Sequence, residues 1–88
     1  MITLQALKAA QEKLKPYIIE TPMIRMENLD PLLGCKVYLK PECMQRTNSF
    51  KIRGALNKML SMEAQTLKNG VVAASSGNHG KGVAFVAK

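Results

Sequence analysis

Two stretches of the chain carry residue types whose spacing could do chemistry. The first runs Glu42-Cys43-Met44-Gln45-Arg46-Thr47-Asn48-Ser49-Phe50-Lys51-Ile52-Arg53-Gly54-Ala55. Lys51 stands beside Phe50, after a polar segment and at the opening of an apolar helical pattern. A lysine in a partly apolar pocket loses stabilisation of its charged form, and the neutral amine is a nucleophile suited to Schiff-base chemistry. Taken alone, a lysine is far more often a solvated surface group. The second stretch is Ser75-Ser76-Gly77-Asn78-His79-Gly80. It follows an apolar run and opens a helical pattern, so its free backbone N–H groups could bind an anion such as a carboxylate. Gly77 and Gly80 permit close approach of backbone to ligand. The plainer reading is a capped helix start, with Ser76 or Asn78 as the cap. The pattern is neither GxGxxG nor a Walker A loop. His79 has no second ligand nearby, so no metal site is expected.

Recognisable elements must position these stretches. Thr3 can cap a helix whose apolar positions Leu4, Ala6, Leu7, Ala10 and Leu14 recur at helical spacing, with Pro16 and Ile18-Ile19 ending it. Thr21-Pro22 starts an extended segment, and Asn28-Leu29-Asp30-Pro31 reads as a turn. Val37-Tyr38-Leu39 is a short β-prone run stopped by Pro41. A helix is predicted over Ser49 to Met62, burying Phe50, Leu56, Met59 and Leu60. After a turn at Asn69-Gly70, Val71-Val72-Ala73-Ala74 reads as a buried parallel strand, and Lys81 to Lys88 as helix. The order strand, loop, helix, strand, loop, helix is that of an α/β fold, with the chemical loops at the C-terminal ends of strands.

Composition narrows the function classes. The 88 residues carry 13 Lys+Arg against 6 Asp+Glu, a formal charge of +7. The basic residues are spread singly and aromatics are only 5%, which argues against a nucleic-acid partner. No apolar run approaches the ~20 residues that span a bilayer, and no signal-peptide layout opens the chain. A cytoplasmic protein without a membrane partner is expected. Cys35 and Cys43 show no metal spacing and are expected reduced and semi-buried.

Together the two motifs are far more specific than either. Thr47-Asn48-Ser49-Phe50-Lys51-Ile52-Arg53-Gly54-Ala55 followed by Ser75-Ser76-Gly77-Asn78-His79-Gly80 resembles the serine/threonine dehydratases, serine racemases and related fold-type II pyridoxal-phosphate (PLP) enzymes. The resemblance runs through Thr21-Pro22 and Leu39-Lys40-Pro41-Glu42 and covers essentially the whole chain. It implies an α/β fold, here an incomplete parallel-sheet domain like that of the tryptophan synthase β chain. It further implies that Lys51 holds PLP in a Schiff base and later removes the substrate α-proton. Phe50 would line the cofactor pocket, and Asn78 would hydrogen-bond the cofactor's ring hydroxyl. Ser75, Ser76, Gly77, Asn78 and His79 would grip the substrate carboxylate. The implied reaction is a lyase reaction of amino-acid metabolism. L-threonine or L-serine loses water, and the product hydrolyses to a 2-keto acid and ammonia. The enzyme would be a homo-oligomer.

The alternative within the family is serine racemisation, which needs an acid/base on the face opposite Lys51; Ser76 resembles the racemase serine. A further alternative is an inactive truncated piece. The last helix lacks a stop signal before Lys88, so residues 1–88 are expected to be the N-terminal portion of a longer enzyme domain. The family's glycine-rich phosphate loop is expected beyond it, and without that loop the isolated chain is expected to be inactive. Two positions depart from the family pattern. Asn48 stands where glycine is usual, and asparagine tolerates positive φ better than most residues. Lys81 stands where glutamine is common.

Overall fold

The structure, a computed structural model, describes residues 1–88. Helix α1 (Leu4–Leu14) starts where Thr3 Oγ1 accepts the Ala6 N–H at 3.1 Å. It buries Leu14 alone. The chain then extends through Pro22 to strand β1 (Ile24–Arg25), which pairs with β2 (Tyr38–Leu39). Between them, the expected turn is wound into a 3₁₀ turn (Glu27–Leu29) and a short helix α2 (Asp30–Leu33) with Pro31 in its first turn. Gly34, at φ 66°, ends α2 in the left-handed region. Asp30 ties this excursion together: its Oδ1 accepts from Arg25 Nη1 at 2.7 Å and from the Val37 N–H at 3.0 Å. These donors hold its carboxyl below the usual carboxylate range, the Arg25 guanidinium contributing most.

A second 3₁₀ turn (Glu42–Met44) leads to α3 (Lys51–Met59). Short helix α4 (Ala64–Leu67) and a turn at Gly70 (φ 81°) precede α5 (Asn78–Val86). The core is Leu14, Ile52 and Leu56, with Ile18 and Val86 packed on it. It therefore joins α1, α3 and α5. No helix is long and apolar enough to cross a membrane.

Several sequence expectations are corrected. The sheet is a two-residue antiparallel pair, Ile24 opposite Leu39 and Arg25 opposite Tyr38, with no parallel pairing. Val71–Ala74 forms no strand, and Val72 is fully exposed, because no other segment of these residues offers it a ladder. On α3 the buried residues are Ile52, Ala55 and Leu56, while Phe50 is 58% and Leu60 40% exposed. The helix is docked by α5, which covers a side rotated from the one the apolar pattern favoured. Cys35 and Cys43 are both exposed.

Only 10 of the 88 residues are buried, and the radius of gyration is 16.0 Å against about 12 Å for a compact chain of this length. Side-chain hydrogen bonds compensate for the small core along one seam. Gln45, 2% exposed, uses its amide as a strand would: Oε1 accepts from the Ile19 N–H (3.1 Å) and Nε2 donates to the Ile19 carbonyl (2.6 Å). Lys40 Nζ donates to the Thr21 carbonyl and Arg46 Nε to that of Tyr17, at 2.8 and 2.9 Å. Residues 17–21 are thereby pinned to residues 40–46, the segment that delivers Lys51.

Candidate active site

Glu42 is the hub that orients the loop before Lys51. Its carboxylate accepts from Thr21 Oγ1 (2.6 Å) and, through two parallel bonds, from Arg53 Nε (2.8 Å) and Nη2 (2.9 Å). The Arg53 guanidinium is the main cause that lowers Glu42 to about 2; desolvation opposes it, and Thr21 and Gln45 assist. Arg53 sits two residues past Lys51 on α3, so this fork fixes the azimuth at which the helix start emerges.

Asn48 turns the chain into α3 with φ 60°, the only positive φ outside glycine. Its N–H donates to the Gln45 carbonyl at 2.8 Å. Thr47 and Ser49 on either side are buried, their hydroxyls without a partner. Lys51 opens α3. Its side chain is exposed and takes part in no ion pair or hydrogen bond; the ammonium lies 5.1 Å from the centroid of the Phe50 ring. The apolar pocket expected around Lys51 is not formed by these residues. Two cavities of about 570 and 550 Å³ exist, and Lys51 lines neither. His79 lines the second, with Gly54, Ala55, Ala74 and Val83.

The second motif is an exposed loop feeding α5. The Gly77 N–H donates to Ser75 Oγ at 3.1 Å, and the Lys81 N–H reaches back to the Gly77 carbonyl at 3.0 Å. The N–H groups of Asn78, His79 and Gly80 are those a helix start leaves without an intrahelical partner. No acidic side chain occupies this first turn. Ser75, Ser76, Gly77, Asn78 and His79 are all exposed. No group of His, Cys, Asp and Glu could hold a metal ion.

What brings the motifs together is a glycine that the sequence pattern does not single out. Gly82 is buried on α5, and a Cβ built there would stand 3.4 Å from both Ile52 N and Lys51 C. Helix α5 thus lies with its backbone against the start of α3. Asn78 is four residues earlier, so the open end of α5 begins about 6 Å from that contact along the helix axis. The amine-bearing helix start and the N–H-rich helix start are neighbours, though no hydrogen bond joins Lys51 to Ser75–His79. Glycine in mid-helix costs stability without a packing reason, and that was the available signal for Gly82. Glu42 and Arg53 gave a weaker one, as opposite charges flanking the lysine motif.

The family model described as "Pyridoxal-phosphate dependent enzyme" matches residues 14–88. The chain belongs to this family. Among its relatives, the L-threonine ammonia-lyase of Thermotoga maritima is 47% identical over 88 residues, covering 100% of this chain and 22% of that protein. The crystal structure of serine racemase from Dictyostelium discoideum superposes with a TM-score of 0.86 at 39% identity, covering 97% of this chain and 28% of that one. The crystal structure of a threonine deaminase from T.th. superposes with a TM-score of 0.81 at 46% identity, covering 98% and 30%. These neighbours are fold-type II PLP enzymes, and that α/β architecture is the one the chain shares. The chain spans about a quarter of the length of the relatives it matches.

The residues present suit the family's cofactor. An aldehyde requires a reachable primary amine, and the Lys51 amine is exposed and unpaired. Anionic groups require unspent donors, and the first turn of α5, on the helix packed against the Lys51 backbone, supplies them.

Proposed function

We propose that residues 1–88 form the N-terminal portion of a longer PLP-dependent ammonia-lyase domain that converts L-threonine or L-serine to a 2-keto acid and ammonia. The carrying observation is the docking of α5 on α3 through Gly82, which brings the helix start that bears Lys51 next to the helix that the Ser75–Gly80 loop opens. Identity of 47% to an L-threonine ammonia-lyase supports the reaction class.

PLP, when bound, supplies the electron sink that stabilises negative charge at the substrate α-carbon. Lys51 would hold it through Nζ, Phe50 would line its pocket, and Asn78 would hydrogen-bond its ring hydroxyl. The substrate carboxylate rests on Ser75, Ser76, Gly77, Asn78 and His79, where the N–H groups of the first α5 turn donate to it. With its amine free, Lys51 Nζ would be the base that takes the substrate α-proton. The Lys51 ammonium so formed would return that proton to the β-hydroxyl, which leaves as water, and hydrolysis of the resulting enamine would give the keto acid and ammonia. The small core and exposed Val72–Ala74 support a role as part of a larger assembly, which we propose is a cytoplasmic homo-oligomer with a small amino acid as its ligand.

Serine racemisation is the second reading, because Ser76 is exposed in the carboxylate loop and serine racemases are among the relatives. A graft tests both. This chain replaces the 88 aligned residues of the Thermotoga maritima enzyme, and keto acid and D-serine are measured with L-threonine and L-serine as substrates. Keto acid that vanishes in Lys51→Ala supports the lyase. D-serine as the main product would transfer the proposal to the racemase. A folded, PLP-loaded graft that forms neither would contradict both.

A further inference from the structure

We infer that Asn48 and Lys81 form a positioning pair that fixes the angle between the lysine-bearing turn and the open end of α5. The inference rests on the function proposed above for what is positioned, but the pair is defined by geometry alone. Asn48 holds a left-handed φ of 60° that glycine would adopt without strain. Both polar atoms of its side chain are engaged. Oδ1 accepts from Lys81 Nζ at 2.9 Å, and Nδ2 donates to the Cys43 carbonyl at 3.3 Å. A glycine there would make neither bond.

Lys81 has no local reason for its position. It lies near the N-terminal end of α5, where the helix dipole disfavours a cation, and it pairs with no carboxylate. Its neighbour Gly82 rests on the Lys51–Ile52 backbone. Adjacent residues of α5 therefore hold the same turn at two places, Lys81 at Asn48 and Gly82 at Lys51–Ile52. Toward its C-terminal end α5 is held by Val86 on the Leu14–Ile52–Leu56 core, and in its middle by Gly82, which leaves its open N-terminal turn the least constrained part. The Lys81–Asn48 bond adds a hold close to that turn and so tunes where Asn78 and His79 stand relative to the loop that delivers Lys51.

The test uses the 88-residue chain and Asn48→Gly, Asn48→Asp and Lys81→Met. Asn48→Gly relieves the backbone strain while cutting the tether, so a merely structural role predicts no loss. Asn48→Asp keeps the acceptor for Lys81 and should rescue. The first readout needs no cofactor: acetylation of Lys81 by acetic anhydride, mapped by mass spectrometry, should rise roughly two- to fivefold in Asn48→Gly and stay low in Asn48→Asp. The second is PLP labelling at Lys51 relative to the other lysines after borohydride reduction. It should fall by a similar factor in Asn48→Gly and Lys81→Met, with no further fall in the double variant. Unchanged Lys81 acetylation would overturn the pair, and raised acetylation with unchanged Lys51 labelling would overturn its positioning role. Should the unaltered chain show no Lys51 selectivity, the proposed function fails separately. The pair is then decided by whether Asn48→Gly shifts the amide resonances of Asn78–Gly80, shifts supporting it and their absence overturning it.

Discussion

Gly82 of α5 lies so close to Lys51 of α3 that a methyl group at Gly82 would sit 3.4 Å from the Lys51 carbonyl carbon. That contact couples the two chemical motifs across about 30 residues of intervening chain. It predicts a steep dependence on side-chain size. Gly82→Ala gains about 1 kcal/mol of helix propensity against a tight but tolerable contact, and should change stability by less than about 1 kcal/mol. Gly82→Val must push α5 from α3 and should cost about 1–3 kcal/mol. Urea titrations of the three chains check this, and equal midpoints for all three would deny the packing.

Glu42 gives a pH prediction with a definite sign. Its folded pKa is lowered from 4.5 to about 2 by Arg53, so its contribution is fully present above pH 4.5 and is lost as pH falls toward 2. With the carboxylate 16% exposed, the contribution is at most about 3 kcal/mol. Glu42→Gln should be less stable at neutral pH and should flatten the acid limb of the stability curve between pH 4.5 and 2. Urea midpoints measured across that range decide it, and parallel curves for the two chains would contradict the Glu42–Arg53 link.

Much of this could be read in the sequence, and the misses share one cause. The Thr3 cap, α1, the Gly70 turn and the opening of α5 are set by neighbours a few residues away, and each was legible. The buried side of α3 was not. Of the residues expected inside, Leu56 is buried but Phe50 is not, because Leu14 of α1 and Val86 of α5 pack on the side bearing Ile52 and Leu56. Asn48 was readable as a positive-φ position and Lys81 as an unusual residue, yet nothing local says that one bonds the other across 33 residues. The lysine motif was legible as a motif, whereas the exposure of Lys51 depends on which walls surround it.

Val71–Ala74 carries a prediction about association. An apolar segment whose backbone pairs with no strand can pair with a strand of another chain. Val72→Lys places a charge at a fully exposed position, so it should reduce self-association without altering the unfolding midpoint. Sedimentation velocity across a concentration series checks this. Undiminished association in Val72→Lys would exclude the segment as the contact.

The central claim is that Lys51 is the cofactor lysine, and one measurement tests it most directly. The purified chain is incubated with PLP, reduced with borohydride and mapped by mass spectrometry beside Lys51→Ala. The account predicts modification concentrated at Lys51 over the other lysines and lost in Lys51→Ala with no compensating site. Label spread evenly over the exposed lysines, and unchanged in amount in Lys51→Ala, would contradict it.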